Sequence, residues 1–327
     1  MMTLLKVQDL CVSLKTAYGR QDVISNINFC LNAGEKLGIV GESGCGKSIT
    51  ALALMSLLPP DSKTRGRIIL EGRDILNLNS KEICSIRGNR IGMIFQEPMT
   101  ALNPVKQIGA QISESIDLHL KLNRKQTLER VTELMDKVGL PVDRFGLNLY
   151  PHQLSGGQRQ RVMIAMAIAC NPDILIADEP TTALDVTVQE QILNLIRDLA
   201  DSSGMALIMI SHDLGVIAQT AQNVMVMYTG NIVEMGSTVD VYQNMLHPYT
   251  FGLFSAIPHA GSSSHLERKR LTSIPGQVPQ LHQRPIGCNF ADRCMRASKI
   301  CKTKEPMATR VSDHHQVWCY HPLKEKI

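Results

Sequence analysis

The sequence predicts an α/β fold with a mixed sheet at its core, an antiparallel β subdomain, a helical subdomain and a small Cys-rich C-terminal lobe. Three observations carry that prediction. The apolar runs LGIV at 37–40, DILIAD at 173–178 and ALIMIS at 206–211 read as strands buried on both faces of a parallel sheet. The first of them enters a glycine-rich turn, GESGCGKS at 41–48, which opens a helix-forming stretch. Between the sheet segments, residues 107–140 switch from strand-like to helical spacing.

In chain order, residues 4–14 read as a strand. Ile27, Phe29 and Leu31 alternate with polar neighbours as in a half-buried second strand. After Lys47, ITALALMSLL predicts a helix stopped by Pro59 and Pro60, since proline cannot continue the hydrogen-bond ladder. RIIL at 67–70 is a strand turning at Glu71-Gly72, and IGMIF at 91–95 is a buried strand ending at Gln96. Ile108, Ile112, Ile116 and Leu120 recur at helical spacing, as do Leu128, Val131, Leu134, Met135 and Val138, until Gly139 and Pro141 end the pattern. VMVMYTG at 224–230 is a further strand and turn. From Pro258 to Gly287, prolines, glycines and a serine run predict an extended connection. The expected organisation is a domain at 1–257 with its helical part at about 105–165, a connection at 258–287, and the Cys-rich lobe at 288–327.

Bulk properties narrow the class. The 327 residues suit one large domain with an appendage, and a net charge of +4 is too mild to argue for nucleic acid. The longest apolar runs, ALALMSLL and VMIAMAIAC, fall short of the roughly 18–20 residues that span a bilayer. No leader pattern opens the sequence, so a cytosolic chain is expected, with any membrane role supplied through partners.

Three motifs carry chemistry. In GESGCGKS, Gly41, Ser43, Gly44 and Gly46 let backbone amides crowd around phosphate oxygens, and the helix beginning near Ile49 adds its positive end. Lys47 is placed to bridge β- and γ-phosphates, and Ser48 to ligate Mg²⁺. ILIADE at 174–179 ends a strand in two carboxylates, which divide into Asp178 for Mg²⁺ and Glu179 for polarising water. LSGGQ at 154–158 is a second glycine-rich turn opening a helix, although one nucleotide needs only one phosphate loop.

With LSGGQRQR at 154–161 in place, residues 1–250 resemble the ATPase subunits of ABC transporters. The resemblance implies a P-loop NTPase fold, ATP and Mg²⁺ as ligands, and a second ATPase subunit, identical or a sister. The signature residues Ser155, Gly156, Gly157 and Gln158 then cover the γ-phosphate held by that second subunit. It also implies that Gln96 reaches Mg²⁺ and the attacking water, and that His212 contacts the γ-phosphate. Asp185 crosses the dimer interface, and Tyr18 stacks on adenine. Glu179, His212, Gln96 and Lys47 are the expected catalytic residues.

The resemblance tightens to bacterial oligopeptide/dipeptide and nickel-type importers through QEPMTALNP at 96–104, HPYTFGLFSAIP at 247–258, IPGQVPQL at 274–281 and RPIGCNFADRC at 284–294. Cys288, Cys294, Cys301 and Cys319 cluster at this end, and on chemistry alone they suit Zn²⁺, an iron–sulfur cluster or a set of unliganded thiols. The resemblance implies a 4Fe–4S cluster. It further implies two membrane-spanning permease subunits, an extracytoplasmic substrate-binding protein, and a peripheral place on the cytoplasmic face of the bacterial inner membrane. Expected cargo is di- or oligopeptides, with nickel or another small solute as the alternative. A nucleic-acid or ribosome ATPase is disfavoured, because no basic–aromatic surface is visible and Trp318 is the single tryptophan.

Overall fold

A computed structural model describes residues 3–256 and 274–323. Its strands are β1 (Thr3–Thr16), β2 (Gly19–Asn32), β3 (Lys36–Val40), β4 (Lys63–Leu70), β5 (Arg73–Asp74) and β6 (Ile91–Ile94) in the N-terminal part. They continue with β7 (Ile174–Asp178), β8 (Ala206–Ser211), β9 (Asn223–Tyr228), β10 (Asn231–Ser237), β11 (Thr309–Ser312) and β12 (His315–Val317). Eight of them form one sheet in the order β11-β12-β10-β9-β3-β8-β7-β6, and β2-β1-β4-β5 form a separate antiparallel sheet. The inner pairs β3–β8, β3–β9, β7–β8 and β6–β7 are parallel. The remaining pairs, β9–β10, β10–β12 and β11–β12, are antiparallel, which makes the sheet mixed.

The continuous apolar runs explain why this sheet lies in the middle. Successive side chains on a strand point to opposite faces. Leu37, Ile39, Ile174, Ile176, Ile208 and Ile210 therefore share one core with the small antiparallel sheet. Leu175, Ala177, Leu207, Met209, Val224 and Val226 join a second core, on the side of the helices. Each strand tip thus emerges from a layer packed above and below, which fixes where Gly41, Asp178 and Ser211 can be.

The helical part consists mainly of Ile108–His119, Arg124–Lys137 and Gly156–Ala167. Ile108, Ile112, Ile116, Val131, Leu134 and Met135 are its buried face. Asn123 and Gln126 form a reciprocal capping box that starts the middle helix. Buried Gln111 holds the loop before these helices, accepting from Asn103 N and donating to the carbonyls of Asn103 and Lys106.

The start of the expected 258–287 connection, through 273, lies outside the described residues. From residue 274 on, the chain returns and extends the main sheet with β11 and β12, so the Cys-rich lobe is fastened edgewise to β10. Glu234 of β10, fully buried, accepts from the amides of Leu246 and His247 and pairs with His315 of β12 at 2.8 Å. A buried carboxylate is tolerable only when its lone pairs are satisfied in this way. Among the described residues, no helix is long and apolar enough to cross a membrane.

Candidate functional site: a phosphate loop facing two strand-tip carboxylates

β3 delivers the chain to Gly41, and the helix Lys47–Leu54 leaves it. Gly44 and Gly46 have φ of 78° and 102°, a region that side chains disfavour. At Gly46 a Cβ would also meet Ile24 of β2 at 2.6 Å. Lys47 is almost fully buried, and its Nζ donates to the carbonyls of Gly41 (2.9 Å) and Glu42 (3.3 Å). The loop therefore curls around its own lysine. Cys45 is buried within it, and burial pushes its thiol pKa up, which keeps it neutral and unreactive.

β7 ends opposite this loop. Ser48 Oγ donates to Asp178 Oδ1 at 3.1 Å, joining the hydroxyl and carboxylate expected to hold Mg²⁺. Burial raises the Asp178 pKa, the Ser48 hydrogen bond opposes the rise, and the adjacent Glu179 charge adds to it. A carboxylate so placed gains from a divalent cation beside it.

Glu179 is where the site converges. Its backbone has φ 45°, a strained conformation for a side-chain-bearing residue, held by its amide donating to Ile210 O at 3.0 Å. Its carboxylate stands 3.8 Å from Lys47 Nζ. Its Oε2 faces Gln96 Nε2 (3.4 Å), Thr182 Oγ1 (3.3 Å) and His212 Nδ1 (3.2 Å). Gln96 lies two residues past the end of β6 and His212 one past β8, so parallel register aligns three strand tips on a single oxygen.

The signature turn is built differently. Ser155 caps the helix Gly156–Ala167, its Oγ accepting from Gln158 N while Gln158 Oε1 accepts from Ser155 N. Ser155 and Gly156 are exposed, and Gly157 and Gln158 half-buried. Asp185 likewise caps the helix Val186–Ser203 by accepting from Val188 N at 2.9 Å, on an exposed loop.

Comparison with known proteins points to one family. Residues 24–182 match the ABC transporter family, and residues 233–301 match the oligopeptide/dipeptide transporter C-terminal region. The Oligopeptide transport ATP-binding protein OppD of Bacillus subtilis is 48% identical over 328 residues, 99% of this chain and 91% of the relative. The Probable peptide ABC transporter ATP-binding protein y4tR of Sinorhizobium fredii is 46% identical over 322 residues, 97% and 94% of the two chains. The chain belongs to the ATP-binding subunits of ABC transporters. Among solved structures, the ATP-binding cassette MJ0796, in a dimeric post-hydrolysis state bound to ADP and Pi, aligns with a TM-score of 0.65 and 27% identity. It covers 72% of this chain and 99% of its own.

This ABC ATPase also carries contacts that the sequence did not announce. Tyr18, in the β1–β2 turn, stacks face to face on His282, with centroids 3.9 Å apart, and still remains 68% exposed. Arg284 donates to the carbonyls of Asp22 and Val23. The C-terminal extension thus runs along the hairpin expected to meet adenine. Thr182 and His282 were missed because a threonine in a polar loop and a histidine in a proline-rich one have no distinguishing spacing. Only the turn after ILIADE could have singled out Thr182.

Cys288, Cys294, Cys301 and Cys319 line one small cavity together with His247, Phe290 and His321. Burial, with a smaller contribution from neighbouring thiols, pushes Cys288 and Cys319 up to about 11. Among the described residues, no group of three or more His, Cys, Asp or Glu side chains stands arranged to hold a metal ion. The fold gathers the four sulfurs without setting them as a ligand shell.

Proposed function

We propose that this ATPase powers uptake of di- or oligopeptides across the bacterial inner membrane, working at its cytoplasmic face. The convergence of Lys47, Gln96, Thr182 and His212 on Glu179, beside the Ser48–Asp178 pair, carries the ATPase part. The match of residues 233–301 to the oligopeptide/dipeptide transporter C-terminal region supports the cargo.

Lys47 and the loop amides bind the β- and γ-phosphates, and Tyr18 stacks on adenine. Ser48, Asp178 and Gln96 are the residues that would hold Mg²⁺, which would supply neutralisation of phosphate charge when bound. Glu179 takes the proton of the attacking water, and His212 and Gln96 orient that water and the γ-phosphate. Ser155, Gly156 and Gly157 close on the ATP of a second ATPase subunit, with Asp185 at the same seam. Two permease subunits receive the closure through the surface around Gln96, where Met99 and Val105 are exposed. Arg159, on the signature helix, contacts Met99 and donates to Pro151 O, which ties that surface to the signature helix. An extracytoplasmic binding protein delivers the cargo.

The four cysteines line one cavity and match a 4Fe–4S cluster in the number and kind of donors, and they would have to deprotonate and draw together to hold it. Its role is to staple a lobe too small to hold its own core. Protein purified without oxygen should be brown, and Cys288→Ser should remove the absorbance; colourless protein with stoichiometric zinc rejects the cluster. For the whole reading, the chain is reconstituted in vesicles with its permeases, the second ATPase subunit and the binding protein. ATP-driven accumulation of labelled dipeptide is expected, and accumulation of nickel but no peptide overturns the cargo assignment.

A further inference from the structure

One charged contact joins the Cys-rich lobe to the phosphate loop and has no part in the chemistry above. Arg293, directly before Cys294, is only 8% exposed. Its two terminal nitrogens donate to the two carboxylate oxygens of Glu42, at 2.7 and 3.0 Å. Nε donates to Pro275 O at 3.0 Å, and one terminal nitrogen also reaches the Tyr228 hydroxyl at 3.3 Å. The rings of Tyr228 and Phe290 lie beside the guanidinium, each about 6 Å away from centroid to Cζ. A fork-on-fork pair of this kind fixes orientation as well as charge.

Glu42 is the second residue of the phosphate loop, and its other groups are engaged as well. Its amide donates to Tyr249 Oη at 2.8 Å. Its carbonyl accepts from Lys47 Nζ at 3.3 Å and from Cys45 N at 3.2 Å. Displacing the Glu42 side chain therefore moves the carbonyl that holds the catalytic lysine. Left unpaired, the same carboxylate would put a negative charge beside a loop that must receive a triphosphate, in a half-buried setting where screening is weak.

We propose that Arg293 is a positioning residue for ATP: it holds the phosphate loop in its anion-accepting shape and cancels the Glu42 charge, so that nucleotide affinity depends on the folded Cys-rich lobe. The coupling is reciprocal, since a lobe that favours ATP binding must in turn be favoured by it. It rests on ATP binding at this loop and not on the identity of the cargo.

The test is a double-mutant cycle on the full chain, with ATP affinity read by calorimetry. Arg293→Gln should weaken ATP binding about tenfold, within the range of coupling between linked sites. Adding Glu42→Gln should restore most of that loss by removing the unpaired charge. In the assembled transporter, KM for ATP should rise while kcat stays near that of the unaltered chain. An Arg293→Gln chain that binds ATP normally overturns the proposal, as does a double variant no better than the single one. Should Arg293→Gln fail to fold, hydrogen exchange on the unaltered chain decides. ATP must then raise amide protection across 288–294, and unchanged protection there overturns the proposal.

Discussion

The two glycine-rich turns of this chain each open a helix, yet they stand in opposite states of completion. The phosphate loop has its lysine buried, its serine on Asp178 and its glutamate clamped by Arg293. The signature turn has a satisfied cap and nothing else: Ser155 and Gly156 face outward, bonded only within their own helix start. A helix N-terminus with free amides attracts anions whichever element presents it. On the function proposed above, the first turn meets its phosphate within one chain and the second needs a phosphate brought to it.

That contrast can be broken in several ways, ordered here by expected effect. Glu179→Gln keeps the carboxylate's shape without its basicity. Hydrolysis should fall by about 10²–10⁴-fold, the usual worth of a general base, with ATP binding retained and a closed dimer accumulating on ATP. Normal turnover by that variant would remove Glu179 from the base role. Gly46→Ala combines φ 102° with a 2.6 Å approach to Ile24, so ATP affinity of the lone chain should drop on the order of 10- to 100-fold in a binding titration.

Acid should act where the Cys-rich lobe meets β10. Burial lowers the His247 pKa from 6.5 to about 3, so the folded chain keeps this imidazole neutral while the unfolded chain protonates it. Stability is therefore full above pH 6.5 and is lost progressively as pH falls toward 3, by about 2 kcal/mol at pH 5. Denaturant titrations at pH 7 and 5 read this, and His247→Phe should flatten the dependence. The smallest effect is Ser155→Ala. It should cost about 1 kcal/mol of cap stability and leave ATP affinity of the lone chain unchanged, while turnover of the assembled transporter falls. Equal loss in both measurements would mean that the signature turn serves the ATP of its own chain.

Much of this site was legible before any coordinates. The strands β3, β7 and β8 are so apolar that no other placement would bury them, and each motif follows one of them directly. Lys47, Ser48, Asp178 and Glu179 could therefore be named from chain order, whereas Gln96 and His212 came from the resemblance to the ABC transporter ATPases. What escaped were contacts between segments far apart in sequence: Glu42 with Arg293, Tyr18 with His282, Glu234 with His315. None has a spacing, because each partner lies in a stretch with no periodicity of its own. The lobe itself looked like an appendage, since β11 and β12 are too short and polar to declare themselves as strands of the main sheet.

By itself the sequence determined the sheet, the phosphate loop and the paired carboxylates, because burial patterns and glycine placement are local and leave few alternatives. Only the tertiary structure decided that one oxygen of Glu179 gathers Gln96, Thr182 and His212, and that the Cys-rich lobe grips the phosphate loop through Arg293. Those are matters of strand register and edge pairing, and an arginine can reach a glutamate 251 positions away only after the whole sheet has formed.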